Sequence, residues 1–207
     1  MSPAAGGRLR KNQGNPEAYG KPMTARTDQP SHRTLLLPGW QDSDPAHWQS
    51  RWEVLHGDQR VVQDDWLWPR RGDWMARLEE VLLADARPAV LVAHSLGCHL
   101  VAAWAAHSRQ TQRVLAALLV APPDTEADAM PPQLHNWRPM VRQALPFPAL
   151  VLASSDDPYS SLARAEALAA DWGAACISLG PRGHLNGESG LGDWPEARDW
   201  LAKFVAA

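Results

Sequence analysis

The stretch Val90-Leu91-Val92-Ala93-His94-Ser95-Leu96-Gly97-Cys98 constrains this chain more than any other. An apolar run of strand character passes without a linker into an Ala- and Leu-rich segment of helical character that continues to about Ser108. Only a sharp turn can join the two. The residue at its apex is a serine with small residues two positions before and after it, Ala93 and Gly97. This pattern fits the strained strand-to-helix turn that lifts a hydroxyl above the end of a sheet. The flanks must be small because the turn brings backbone into contact, and Ala93 stands where Gly is usual. The following helix also aims its first N–H groups at the same point. A serine that merely caps a helix has a similar local sequence, so the reading needs support from elsewhere in the chain.

That support begins with the alternation of strand and helix signals, which predicts a parallel sheet covered on both faces, a three-layer α/β/α sandwich. Strands are expected at Thr34–Leu37, weakly at Arg60–Gln63, and at Ala89–Ala93, Val114–Ala121, Ala149–Ala153 and Ala174–Leu179. Asp44-Pro45 offers a helix N-cap followed by Pro at the first helical position, opening a helix to about Leu55. Asp73–Ala86 reads as a helix with Trp74, Leu78, Val81 and Leu82 on its buried stripe. Further helices are expected at Ser160–Trp172 and Trp194–Val205, and one within the Pro-rich residues 124–147, near 133–144.

With 207 residues, 45% hydrophobic and 21% charged, the chain suits one globular domain, 34–207. Residues 1–33 carry six Lys/Arg against two Asp/Glu and are rich in Gly, Pro, Ser and Asn, which predicts a disordered extension. Met23, just ahead of the first strand, is an alternative start. The acidic remainder argues against nucleic acid as a partner. No apolar run reaches the length of a membrane span, and the first residues lack the apolar core expected of a secretory signal. Two cysteines, Cys98 and Cys176, make no disulfide framework and read as buried thiols. A cytoplasmic protein is expected. His94, Cys98 and His99 lack the spacing of a metal site, and no metal or cofactor is expected.

A serine nucleophile needs a base, and the base needs an orienting acid. Of the histidines after Ser95, His107 lies on the helix that Ser95 begins and His135 lies in the Pro-rich segment. His184 follows the last strand in Gly180-Pro181-Arg182-Gly183-His184-Leu185-Asn186, a turn able to fold over the carboxyl ends of the strands. The acid should follow the preceding strand, in Ser154-Ser155-Asp156-Asp157-Pro158-Tyr159. One Asp would cap the turn and the other reach His184. Asp157 is preferred because Pro158 biases it toward an extended backbone, with Asp156 the alternative. The oxyanion donors are expected to be the N–H groups of Leu96 and of Trp40, with Gln41 a second candidate for the latter. Eleven Trp is a high count. Trp40, Trp66 and Trp68, in loops after strands, are candidates for a substrate pocket or for simple packing.

Together L-L-L-P-G-W at 35–40, Q-D-D-W at 63–66 with Pro69 and Trp74, A-H-S-L-G-C at 93–98, L-P-F-P at 145–148, S-S-D-D-P-Y at 154–159 and G-H-L-N at 183–186 resemble the small serine hydrolases related to retinoblastoma-binding protein 9, above all their bacterial members. The resemblance runs from about Thr34 to the C-terminus. It implies a compact α/β-hydrolase fold of about six parallel strands ordered 2-1-3-4-5-6. It places the triad on Ser95, the second Asp of D-D-P (Asp157) and His184, with activity on carboxylic esters. Residues 122–148 leave little room for a lid, so an open site for small esters is expected. The rival readings are a thioesterase or amidase, and a binding protein that retains the fold; no protein partner can be named.

Overall fold

The computed structural model describes residues 31–206. Six strands, β1 (Arg33–Leu37), β2 (Gln59–Arg60), β3 (Ala89–His94), β4 (Val114–Val120), β5 (Ala149–Ala153) and β6 (Ala175–Ser178), form one sheet in the order β2-β1-β3-β4-β5-β6. All five pairings are parallel. The helices are α1 (Trp48–His56), α2 (Arg71–Leu83), α3 (Leu96–His107), α4 (Leu162–Asp171) and α5 (Pro195–Ala206). This is the α/β-hydrolase architecture expected from the sequence. The expected extension, residues 1–33, lies almost wholly outside the described residues.

Alternating side chains of the central strands feed two separate cores, as the period of two requires. Leu35, Leu37, Leu91, Ala93, Ala117, Leu119 and Val151 pack with α2, α3 and α4. Leu36, Val90, Val92, Leu118, Val120 and Leu152 pack with Trp48 and Trp52 of α1 and with Ala197 and Leu201 of α5. The stripe Trp74, Leu78, Val81 and Leu82 is buried on α2 as its spacing predicted.

Three local expectations are corrected. The helix after β1 does not begin at Asp44-Pro45. Asp44 Oδ1 instead accepts the Ala46 N–H at 2.7 Å in a tight turn, and His47 becomes the N-cap by accepting the Gln49 N–H on Nδ1. Residues 133–144 contain no α-helix, only a short 3-10 turn at Pro132–Trp137, because the prolines around it remove backbone donors. Cys176 is only partly buried, since it sits on the edge strand β6 where one side has no partner strand.

The strand order reverses beside β1. The chain runs outward to β2 and returns to β3 on the other side of β1, so the loops leaving β1 and β3 diverge and open a crevice at their carboxyl ends. Gln49 of α1 secures this edge. Its buried amide donates to the Val92 carbonyl at 3.0 Å and the Leu37 carbonyl at 3.3 Å, and accepts the Ser43 hydroxyl at 2.8 Å.

Candidate active site

Ser95 stands at the apex between β3 and α3 with φ 54° and ψ −123°, a conformation L-residues rarely adopt and one that costs roughly 1–3 kcal/mol. Its neighbours hold it there. Its N–H donates to the Val120 carbonyl at 2.9 Å, and its own carbonyl accepts the Cys98 N–H at 2.9 Å. Glycine is obligatory at two contacts. A Cβ on Gly97 would overlap the Leu37 carbonyl oxygen, and one on Gly39 would lie 2.7 Å from the Ser95 Cβ. The loop after β1 therefore rests directly against the serine.

The structure brings Ser95, His184 and Asp157 together from the ends of three strands. His184 Nε2 lies 2.9 Å from Ser95 Oγ, and its Nδ1 lies 2.9 and 3.0 Å from the two Asp157 oxygens. The side chain of Asp157 is 3% exposed and that of His184 is 9% exposed, so the pair is screened from water. Asp157 Oδ1 also accepts the Tyr159 N–H at 2.9 Å, while the Tyr159 ring meets the imidazole edge to face at 4.6 Å.

Asp156, the alternative acid, has a different task. Its Oδ1 accepts the Ser154 hydroxyl and the N–H groups of Arg182 and Gly183 at 2.7 to 2.8 Å. These bonds, led by that from Ser154, hold its carboxyl below the usual range. They also fix the approach to His184. On the other side of His184, buried side chains take up the carbonyls. His94 Nε2 bonds the His184 carbonyl at 2.9 Å, and Trp48 Nε1 donates to the Leu185 carbonyl at 2.8 Å. Leu185 itself has φ 50°, so the loop is strained and clamped at once.

At the loop after β1, the two candidate donors separate. The Gln41 N–H is occupied by the Trp66 carbonyl at 3.1 Å, whereas the Trp40 N–H bonds no acceptor among the described residues. The Leu96 N–H opens α3 and has no intrahelical acceptor. Trp40 is anchored through its indole N–H to the Leu67 carbonyl at 3.0 Å.

A cavity of about 490 Å³ opens onto Ser95 and His184. Of the three pocket candidates Trp40 contributes to its wall, and Trp66 and Trp68 do not. Asp65 Oδ1 accepts the N–H groups of both Leu67 and Trp68 at 2.8 Å. The resulting turn stacks Trp66 edge-on against Trp74 at 5.3 Å and leaves Trp68 60% exposed. The wall residues that sequence reasoning missed come from two places. Asp42, Ser43, Asp44 and His47 lie between β1 and α1; Pro123, Met130, Pro131 and Leu134 lie after β4. His47 carried one usable signal, a histidine next to the Trp that opens an amphipathic helix.

Buried histidines surround the site. The His47 ring meets the His94 ring at 4.6 Å, and His94 meets His184 at 4.9 Å. Burial lowers His47 to about 4 and His94 well below its ordinary 6.5, so both stay neutral near pH 7. His99 bonds the Pro123 carbonyl at 2.7 Å, and the Cys98 thiol, pushed up by burial, faces the Val120 carbonyl. Among the described residues no cluster of His, Cys, Asp or Glu is placed to hold a metal, and no helix is long and apolar enough to cross a membrane.

A family model described as serine hydrolase matches residues 34–203. A protein described as a YdeN-like hydrolase from Pectobacterium atrosepticum is 28% identical, with a TM-score of 0.75 over 84% of this chain and 91% of its own. The ydeN gene product of B. subtilis is 20% identical, with a TM-score of 0.65 over 85% of this chain and 100% of its own. The esterase RhEst1 of Rhodococcus sp. shares the fold at 13% identity, with a TM-score of 0.61 over 84% and 91%. No match to a curated protein was found.

Proposed function

This chain belongs to the serine hydrolase family, and from that premise we propose that it cleaves small carboxylic esters through an acyl-enzyme formed on Ser95. The observation that carries the reading is the unbroken chain of hydrogen bonds from Ser95 Oγ through both nitrogens of His184 to a buried carboxylate. Asp157 fixes the tautomer with hydrogen on Nδ1, which leaves Nε2 free to accept the serine proton. Ser95 Oγ attacks the ester carbonyl as that proton moves to His184. The oxyanion that forms is held by the N–H groups of Leu96 and Trp40, each worth about 2.7–4 kcal/mol in such a role. Collapse breaks the bond to the alcohol, and His184 returns the proton to the departing oxygen. Water, deprotonated by the same nitrogen, then releases the acid and restores Ser95.

A cavity of about 490 Å³ has room for both the acyl and the alcohol parts of a small ester. The test is steady-state hydrolysis of a p-nitrophenyl ester series from two to twelve carbons, beside matched thioesters and anilides. The reading expects the highest kcat/KM at short acyl chains and for oxygen esters. Activity that rises beyond about eight carbons, or that is confined to thioesters or anilides, contradicts it.

A further inference from the structure

The cavity at Ser95 is chemically divided, and the division bears on which half of an ester goes where. One wall is apolar: Pro123, Met130, Pro131 and Leu134. The other is polar: Asp42, Ser43, Asp44 and His47 from the β1–α1 connection, with Asn186 from the loop that carries His184. The polar wall lies on the His184 side. A Cβ on Gly187 would stand only 2.5 Å from Asp44 Oδ2, so the Asp44 carboxylate abuts the chain three residues beyond His184. His47 joins the same side through its contact with His94, which in turn touches His184. The base must reach the departing oxygen to protonate it, so the alcohol half of the ester emerges toward this wall and the acyl half toward the apolar one.

The charges of the wall are not balanced. Asp42 is paired with Arg60 at 2.6 Å, which removes it as a free anion. Asp44 accepts only the Ala46 N–H within its own turn and bonds no cation among the described residues. Among the described residues no Lys or Arg contributes to the cavity wall. His47 supplies an independent sign that a ligand group is missing. Its Nδ1 is occupied by the Gln49 N–H at 3.1 Å, so the ring hydrogen sits on Nε2. That atom is buried, in a residue 3% exposed, and has no hydrogen-bond partner among the described residues. Buried polar groups of this kind are ordinarily satisfied.

Resting on the hydrolase reading above, we propose that the Asp44–His47 wall is the leaving-group subsite and that it selects alcohols bearing a hydroxyl or a cationic head over alcohols bearing an anion. A hydroxyl can donate to Asp44 and accept from His47 Nε2; a cationic head is drawn to Asp44 alone. An anionic head meets an unpaired carboxylate and no arginine or lysine.

The test compares butyrate esters that differ only in the alcohol: ethyl, glyceryl, choline and the anionic glycolate. Wild-type p-nitrophenyl acetate turnover is measured beside them as a reading of hydrolase activity alone. Glyceryl and choline esters are expected to exceed the glycolate ester in kcat/KM by about tenfold, and the choline advantage is expected to shrink with added salt. Asp44→Asn is expected to bring choline and glycolate esters within about threefold of each other, while the glyceryl ester keeps part of its advantage through His47. These ratios are taken within one preparation, so partial unfolding of the variant does not alter them. A glycolate ester hydrolysed as fast as the choline ester, or a ratio unmoved by Asp44→Asn, overturns the subsite while p-nitrophenyl acetate turnover leaves the hydrolase reading standing. Absence of p-nitrophenyl acetate turnover overturns both.

Discussion

The two walls of the cavity are held in different ways. The His184 loop is fixed through its main chain: the exposed Asp156 carboxylate accepts the N–H groups of Arg182 and Gly183, and the buried His94 and Trp48 side chains bond the carbonyls of His184 and Leu185. The segment after β4 is anchored at its far end by indoles, Trp137 to the Pro69 carbonyl and Trp172 to the Val141 carbonyl. Its cavity end combines one buried bond, from His99 to the Pro123 carbonyl, with charge. Glu126 is bonded by Arg142 at 2.5 Å and by Arg164 at 2.9 Å, and Arg164 also reaches Asp124, with these side chains 24–39% exposed. Partly exposed ion pairs are weak and screened by salt, whereas a buried carbonyl that loses its donor keeps its full desolvation cost. The chemistry is thus mounted rigidly and the acyl wall is mounted loosely.

The comparison can be broken most severely at the rigid end. Asp157→Asn keeps the shape but removes the charge that fixes the His184 tautomer, and kcat is expected to fall about 10⁴-fold with little change in KM. Steady-state kinetics with p-nitrophenyl acetate checks this.

Acid should act on both sides of the cavity, through His47 beside the His184 loop and His99 beneath Pro123. His47 and His99 are lowered to about 4, chiefly by burial. The unfolded chain takes up these protons near 6.5 and the folded chain resists until about 4, so stability is full above the first value and falls as pH drops through that window. At about 1.36 kcal/mol per unit each histidine removes about 3 kcal/mol. Urea midpoints at pH 7 and pH 5 should show the loss, and it should be smaller in His99→Gln, which drops one of the resisting groups.

Trp48→Phe strands the buried Leu185 carbonyl. It is expected to cost about 1–3 kcal/mol and to lower kcat more than it raises KM. The smallest effect belongs to the loose wall. Glu126→Gln should cost less than about 1 kcal/mol and raise KM for butyrate esters with kcat nearly intact, and the wild type in high salt should behave alike. A large kcat loss in Glu126→Gln would erase the distinction between the walls.

The same contrast explains what could be read from the sequence. Strands and helices announced themselves through period, and the serine turn, the D-D-P turn and the G-H turn each follow a buried strand, so parallel pairing alone carries them to one edge. Pro158 and the resemblance favoured Asp157 over Asp156, and what separates the two is their spatial partners: Asp157 meets His184, and Asp156 meets the N–H groups of Arg182 and Gly183. The acyl wall was illegible. It has no periodicity, and Glu126 meets Arg142 and Arg164 through distant pairings that no local pattern records. Trp66 and Trp68 misled because a loop position says nothing about direction; the Asp65 turn sends one inward onto Trp74 and the other outward. His47 became visible only when α1 was found to begin three residues after Asp44-Pro45.

The central claim is an activated serine at position 95. Its most direct test is reaction with a fluorophosphonate, read by intact mass on the wild type and on Ser95→Ala. The account predicts one adduct on the wild type within minutes and none on the variant. Folded wild type that stays unmodified over hours, or a variant that is modified equally, contradicts it.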